Sequence, residues 1–176
     1  MTAEEYIVQY KMNPSIIETE EFIQQILFKH NGKTGWGERY DLNEDFREEV
    51  IEELYKDYTN IDKPFVLKLW AAEQEHCSDL TTLTDCFRLI TFMLYTLATV
   101  EDIPHLIDAK LHTSFDASCG LDINLMFPVD YKTAKEYYIQ NPYSGYDIIA
   151  ILDEYNEYEL THKADYTKSW KEYFDE

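Results

Sequence analysis

Thr82-Leu83-Thr84-Asp85-Cys86-Phe87-Arg88-Leu89-Ile90-Thr91-Phe92-Met93-Leu94-Tyr95-Thr96-Leu97-Ala98 is the stretch on which the fold turns. At helical spacing its apolar side chains leave almost no polar face, and a helix that is hydrophobic all round belongs in an interior. The charge-free run that begins within it, Leu89 to Val100, is only 12 residues long, too short to cross a bilayer. The segment is therefore expected to be the buried centre of a globular fold, with Phe87, Ile90, Leu94 and Leu97 in the core. Such a helix needs others around it.

The flanking periodicities supply them. Asp62 and Pro64 suit a helix start, followed by Phe65, Leu69 and Ala72 on one side with Val66 and Trp70 beside them. Asn43, or Asp41 with Glu44 three residues on, can cap a helix that carries Phe46, Val50, Ile51, Leu54, Tyr55 and Tyr58. Glu18 to His30 places Phe22, Ile26 and Leu27 on one stripe before Asn31-Gly32, a good left-handed stop. On the other side, Thr99 to His112 predicts a helix with Pro104 in its first turn and Ile103, Leu106, Ile107 and Leu111 inward. Phe115 to Phe127 alternates like a strand but also shares a helical face through Phe115, Cys119, Ile123 and Met126. Helix is the preferred reading, because no second strand exists to pair with it. Tyr131 to Gln140, Tyr146 to Tyr158 and Asp165 to Phe174 complete an all-α set of eight or nine helices in one domain, residues 1–176. Helix pairs recur roughly every 35 to 40 residues without a visible residue-level repeat, so the stack is expected to be HEAT-like or irregular.

Against 35 Asp and Glu stand 15 Lys and Arg, a net charge of −20, and all parts of the chain share the excess. That field repels phosphate backbones and anionic headgroups, which argues against direct nucleic-acid or membrane binding. With 45% hydrophobic and 15% aromatic residues the chain lies far from the composition of disordered acidic proteins. Its first residues are acidic where a signal peptide would be basic, so a cytoplasmic protein is expected. Cys77, Cys86 and Cys119 are widely spaced and are expected to be buried free thiols.

Several constellations bear on chemistry. Gly32-Lys33-Thr34 ends like a phosphate-binding loop, but the glycine needed upstream is replaced by Leu27. Glu73 and His76 have the spacing of one half of a di-iron site and lack its other half. His105, Asp108 and His112 share a helix face and can converge on a metal; three ligands on one face seldom close a site unaided, and ordinary helix pairs are preferred. Cys119 with His112 and Asp116 has no oxyanion motif beside it. No catalysis and no cofactor are therefore expected. If the protein is an enzyme, Glu73 with His76, or His105 with Asp108 and His112, would carry it with a metal. The denser signal is acid interleaved with tyrosine, Asp153-Glu154-Tyr155-Asn156-Glu157-Tyr158-Glu159, where carboxylates can orient a basic partner and tyrosines supply contact area.

Thr99-Val100-Glu101-Asp102-Ile103-Pro104-His105-Leu106-Ile107-Asp108-Ala109 resembles the first helix of a HEAT-like repeat. Ser114-Phe115-Asp116-Ala117-Ser118-Cys119-Gly120-Leu121-Asp122 and Ser169-Trp170-Lys171-Glu172-Tyr173-Phe174 are similar to segments of small all-helical bacterial proteins encoded beside polymorphic toxins, the immunity proteins. The resemblance implies a protein that occludes the basic nucleic-acid-binding cleft of a nuclease-type toxin, and the acid-and-tyrosine run, Asp153, Glu154, Tyr155, Glu157, Tyr158 and Glu159, is the expected contact face. A helical scaffold or regulator that binds a peptide or protein partner is the alternative.

Overall fold

The computed structural model describes residues 1–35, 37–159 and 163–175, with all of their side chains except those of 155–159 and 163–167. Trp36 lies outside the described residues. Among them the chain is all-helical, and the one extended pairing is an isolated antiparallel bridge between His30 and Asp41.

The first helix, α1 (Ala3–Met12), is opened by Thr2, whose hydroxyl accepts from the Glu5 N–H while the Glu5 carboxylate accepts from the Thr2 N–H. This reciprocal capping box satisfies two N–H groups that the first turn leaves without helical partners. Tyr6 stacks on Phe22 at 3.8 Å between ring centroids and donates its hydroxyl to the Phe22 carbonyl at 2.9 Å. Phe22 lies on α2 (Glu20–Ile23), which is far shorter than the helix expected over Glu18 to His30. The Asn43 amide takes the carbonyls of Gln24 and Leu27, at 2.9 and 2.8 Å, and so supports a chain that has left the helical path. Asn43 consequently makes no side-chain cap for α3 (Glu44–Tyr55), contrary to expectation.

α4 (Lys63–Leu80) and α5 (Asp85–Leu97) form a hairpin of helices, and α5 is the buried centre. Phe87, Ile90, Phe92, Met93 and Leu94 have no exposed surface, while Leu97 is half-buried at the rim. α3 also packs on α5, and α1 packs on α3. α6 (Ile103–Leu111) serves two cores, with Leu106 in the larger one around α5 and Ile103 and Ile107 in a smaller one. Leu111, expected inside, is 39% exposed because the apolar stripe runs out where the helix ends.

Phe115 to Phe127 is helical but broken into α7 (Phe115–Gly120) and a 3-10 turn, Ile123–Met126. A Cβ on Gly120 would stand 2.5 Å from Leu83 Cδ2, so the absent side chain is what lets the end of α7 lie against the start of α5. The smaller core is closed by α8 (Tyr131–Gln140) and α9 (Ile148–Glu159), through Ala134, Tyr138, Ile148 and Leu152. α10 (Lys163–Asp175) returns to the larger core, where Trp170 and Phe174 meet the Phe92 ring at 6.1 and 5.7 Å.

A residue-level repeat does exist in this irregular stack. Thr59-Asn60-Ile61-Asp62-Lys63-Pro64 and Thr99-Val100-Glu101-Asp102-Ile103-Pro104 share T-x-x-D-x-P, 40 residues apart. Each forms a capping box in a 3-10 turn that runs into the next helix. Lys11 pairs with Asp62 and Lys63 pairs with Asp102, so each device is tied to the preceding layer of helices.

Candidate functional site

Five constellations of chemistry-bearing residues were singled out by sequence, and their environments differ. Glu73 and His76 face inward from α4, with 0% and 1% of their surfaces exposed. The partner of Glu73 is Arg47 of α3, which the sequence reading did not single out. Its Nε lies 2.6 Å from Glu73 Oε1 and its Nη1 lies 2.7 Å from Asp41 Oδ2. The remaining oxygen of Glu73 accepts from the Thr84 hydroxyl at 3.0 Å, and that hydroxyl accepts from the Phe87 N–H to cap α5. Asp41 Oδ1 accepts from the backbone N–H groups of Lys29 and Asn43. His76 stands with Nε2 3.3 Å from Glu44 Oε1 and Nδ1 3.7 Å from Asp41 Oδ2.

Burial works against the Arg47 charge, but the attraction of Glu73 and Asp41 overcomes it and holds the guanidinium above its ordinary pKa. Burial pushes the Glu44 carboxyl up, His76 offsets this only in part, and Glu73 and Asp41 add to the rise. The Cys77 thiol, buried beside this cluster, is pushed up to about 11 by desolvation. Arg47 is hydrogen-bonded to Glu73 and to the Ile26 carbonyl, so the carboxylates it neutralises are engaged in linking α3, α4 and the 24–43 connection. Neither Glu73 nor His76 lines the groove beside Asp79 and Asp108 or the larger one described below.

On α6, His105 is exposed, with its ring against Trp70 at 5.2 Å. Asp108 accepts from Gln74 Nε2 and from the Tyr146 hydroxyl, each at 2.8 Å. His112 packs on the Tyr146 ring at 4.9 Å. These contacts tie α6 to α4 and to the segment before α9. Among the described residues no group of three or more His, Cys, Asp or Glu side chains is arranged to hold a metal ion. Cys119, expected to be buried, is exposed, unlike Cys77 and Cys86. Gly32 has φ +81° in a turn, and the segment beyond it leads to α3 only at Glu44, so Gly32-Lys33-Thr34 lacks the strand and helix of a phosphate-binding loop.

The acidic and tyrosine-rich run occupies the end of α9. The Asp153 carboxylate accepts from Lys135 Nζ at 2.6 and 3.0 Å and from the Tyr131 hydroxyl. Those bonds, with the Lys135 bond the largest cause, hold its carboxyl below the usual range. Glu154 is exposed. The side chains of Tyr155, Glu157, Tyr158 and Glu159 lie outside the described residues.

A second acid-and-tyrosine surface is a groove of 1460 Å³ between α3, α5 and α10. Glu48, Glu52 and Tyr55 form one wall, Cys86, Leu89 and Leu97 the floor, and Lys171, Tyr173 and Asp175 the other wall. The Tyr55 hydroxyl donates to Asp175 Oδ1 at 3.1 Å, and burial followed by that bond pushes the phenol up to about 12. The acids of α3 become a wall only through the return of α10. No protein-family model, curated protein or solved structure matches the chain.

Proposed function

We propose that this chain is an acidic protein-binding protein that neutralises a cognate basic toxin by occluding its active site, without catalysis of its own. The observation that carries the reading is the net charge of −20, distributed over a folded helical chain and concentrated with tyrosines at the end of α9. Complementary charge accelerates encounter and sets orientation, while desolvated tyrosines lengthen residence. The contact face is the row Glu154, Tyr155, Glu157, Tyr158 and Glu159. Asp153, bound to Lys135, anchors that row to α8. The engagement of Glu73, His76 and Asp108 in bonds within the protein supports binding over metal-dependent chemistry.

Coexpression with the product of the neighbouring reading frame, followed by a pull-down at low salt, tests this. A basic partner should be retained, and its association should slow as salt shortens the Debye length. Glu154→Lys with Glu157→Lys should act mainly on the on-rate and Tyr158→Ala mainly on the off-rate. Failure to retain any basic partner sinks the reading; unchanged rates in folded variants sink the proposed face.

A further inference from the structure

We propose that the groove between α3, α5 and α10 receives a basic amphipathic segment of the partner, its cations meeting Glu48 and Glu52 and its apolar side chains lying against Tyr55, Leu97 and Tyr173. The proposal rests on the reading of a basic partner and adds a second contact in addition to the α9 row, with the form of the segment that fills it.

Size is the first argument. The groove measures 1460 Å³, above the roughly 300–1,000 Å³ of small-molecule sites. A segment of polypeptide suits it better than a metabolite.

Charge is the second. Other acids of the groove already have partners: Asp57 pairs with Lys11, Asp85 with Arg88, and Asp175 takes the Tyr55 hydroxyl. Lys56 is taken by Glu53. Glu48 and Glu52 have no ion-pair partner among the described residues. The surroundings of Glu48 all act in one direction: burial raises its pKa, and Glu73, Glu44, Asp45 and Glu52 add to the rise. An incoming cation would relieve that repulsion, whereas an anionic or neutral segment would not.

The walls complete the match. Tyr55 and Leu97 are half-buried and Tyr173 is 54% exposed, so apolar surface borders the uncompensated carboxylates on both sides. Helix-in-groove recognition uses this combination, with apolar anchors on one face and charges at the rim.

The test uses the full chain, labelled with nitrogen-15, and a synthetic helical peptide carrying Leu on one face and Arg on its edges. The same peptide with Glu for Arg is the control. Amide shifts should cluster on α3, on 89–97 and on 173–175. Glu48→Gln with Glu52→Gln should weaken the peptide about two- to thirtyfold, as expected for losing two partly exposed ion pairs. Tyr173→Ala, at an exposed position, should weaken it without unfolding the protein. Binding that shifts α9 amides instead, and is lost in Glu154→Gln with Glu157→Gln, overturns the groove and leaves the basic-partner reading standing. No binding of the Arg peptide, or equal binding of the Glu peptide, overturns both. Concentration-dependent self-association that shifts the groove amides without peptide assigns the groove to a second copy and overturns the proposal.

Discussion

Replacing Arg47 with Met should destabilise the protein by about 3–5 kcal/mol, the usual cost of leaving a buried charge without its counterion. The magnitude follows from the geometry. Arg47, Glu73 and Asp41 all have side chains 0% exposed, at separations of 2.6 and 2.7 Å, so water cannot take over from the missing guanidinium. Met fills much of the volume but leaves two carboxylates facing each other across a dry interior, and it releases the Ile26 carbonyl. Against a total stability of about 5–15 kcal/mol this is a large fraction.

Urea unfolding is the assay. With a slope of about 2 kcal/mol/M, the midpoint should fall by about 1.5–2.5 M. Amide exchange gives an independent readout, because the Lys29 and Asn43 N–H groups donate to Asp41 Oδ1 and should lose protection when Asp41 loses its cation. Adding Asp41→Asn and Glu73→Gln to Arg47→Met should recover more than half of the loss, since the uncompensated charges are then gone. A midpoint shift below about 0.5 M, with exchange unchanged, would refute the account of a dry cluster holding the 24–43 connection to α3 and α4.

Leu94 has no exposed surface at the centre of α5, so Leu94→Ala should cost about 2–5 kcal/mol; a loss under about half a kcal/mol in urea unfolding would remove this helix from the centre. Asp62 and Asp102 should shape the acid limb of stability. Burial opposes their charge, but the Thr59 N–H and Lys11 at Asp62, and Lys63 and Thr99 at Asp102, hold both carboxyls below the usual range. A folded pKa below the unfolded one gives stability that is present above about pH 4 and lost as pH falls through the folded values. Asp62→Asn with Asp102→Asn should therefore lower the neutral midpoint and narrow its difference from wild type between pH 5 and pH 3; parallel curves would contradict the shift.

Helices were legible where one periodicity dominated. α8 has the limits expected from its sequence, and the stripes of α4 and α5 are buried as their spacing requires. The failures were tertiary in origin. Phe22, Ile26 and Leu27 fit a helical stripe, yet the side chain of Asn43, distant in sequence, binds the carbonyls that a longer helix would have used. Phe115 to Phe127 carried two periodicities because it is neither one helix nor a strand, and its break follows Gly120, where α7 meets Leu83. The buried cluster was only half visible through Glu73 and His76. A signal for Arg47 was nonetheless present, since Arg47, Val50, Ile51 and Leu54 stand at i, i+3, i+4 and i+7 and all four are buried. A charged residue on an apolar stripe predicts a buried counterion, and reading the stripe without its one charge concealed it. The T-x-x-D-x-P repeat was similarly hidden, because two capping devices share almost no apolar residues to align.

The acids divide by what the fold asks of them. Glu5, Asp62 and Asp102 close capping boxes, and Asp41 and Glu73 neutralise Arg47, so each is held by bonds that the folded chain requires. Glu52 and Glu53 stand in the last turn of α3, where no basic residue accompanies them within the helix. Glu157 and Glu159 occupy the same position in α9, again with no base in that turn. A carboxylate in the last turn of α3 faces the negative end of the helix dipole, an unfavourable placement of about 0.3–1 kcal/mol each at low salt. Lys56 answers Glu53 just beyond the end of α3, and Glu52 has no ion pair of this kind among the described residues. A cation brought to the end of α3 would meet the carboxylate and the dipole together, which is the contact that the proposed basic partner supplies. Under that proposal the acids at the end of α3 are placed to receive a basic segment, and the occurrence of Glu157 and Glu159 in the last turn of α9 extends the same argument to the second acid-and-tyrosine run.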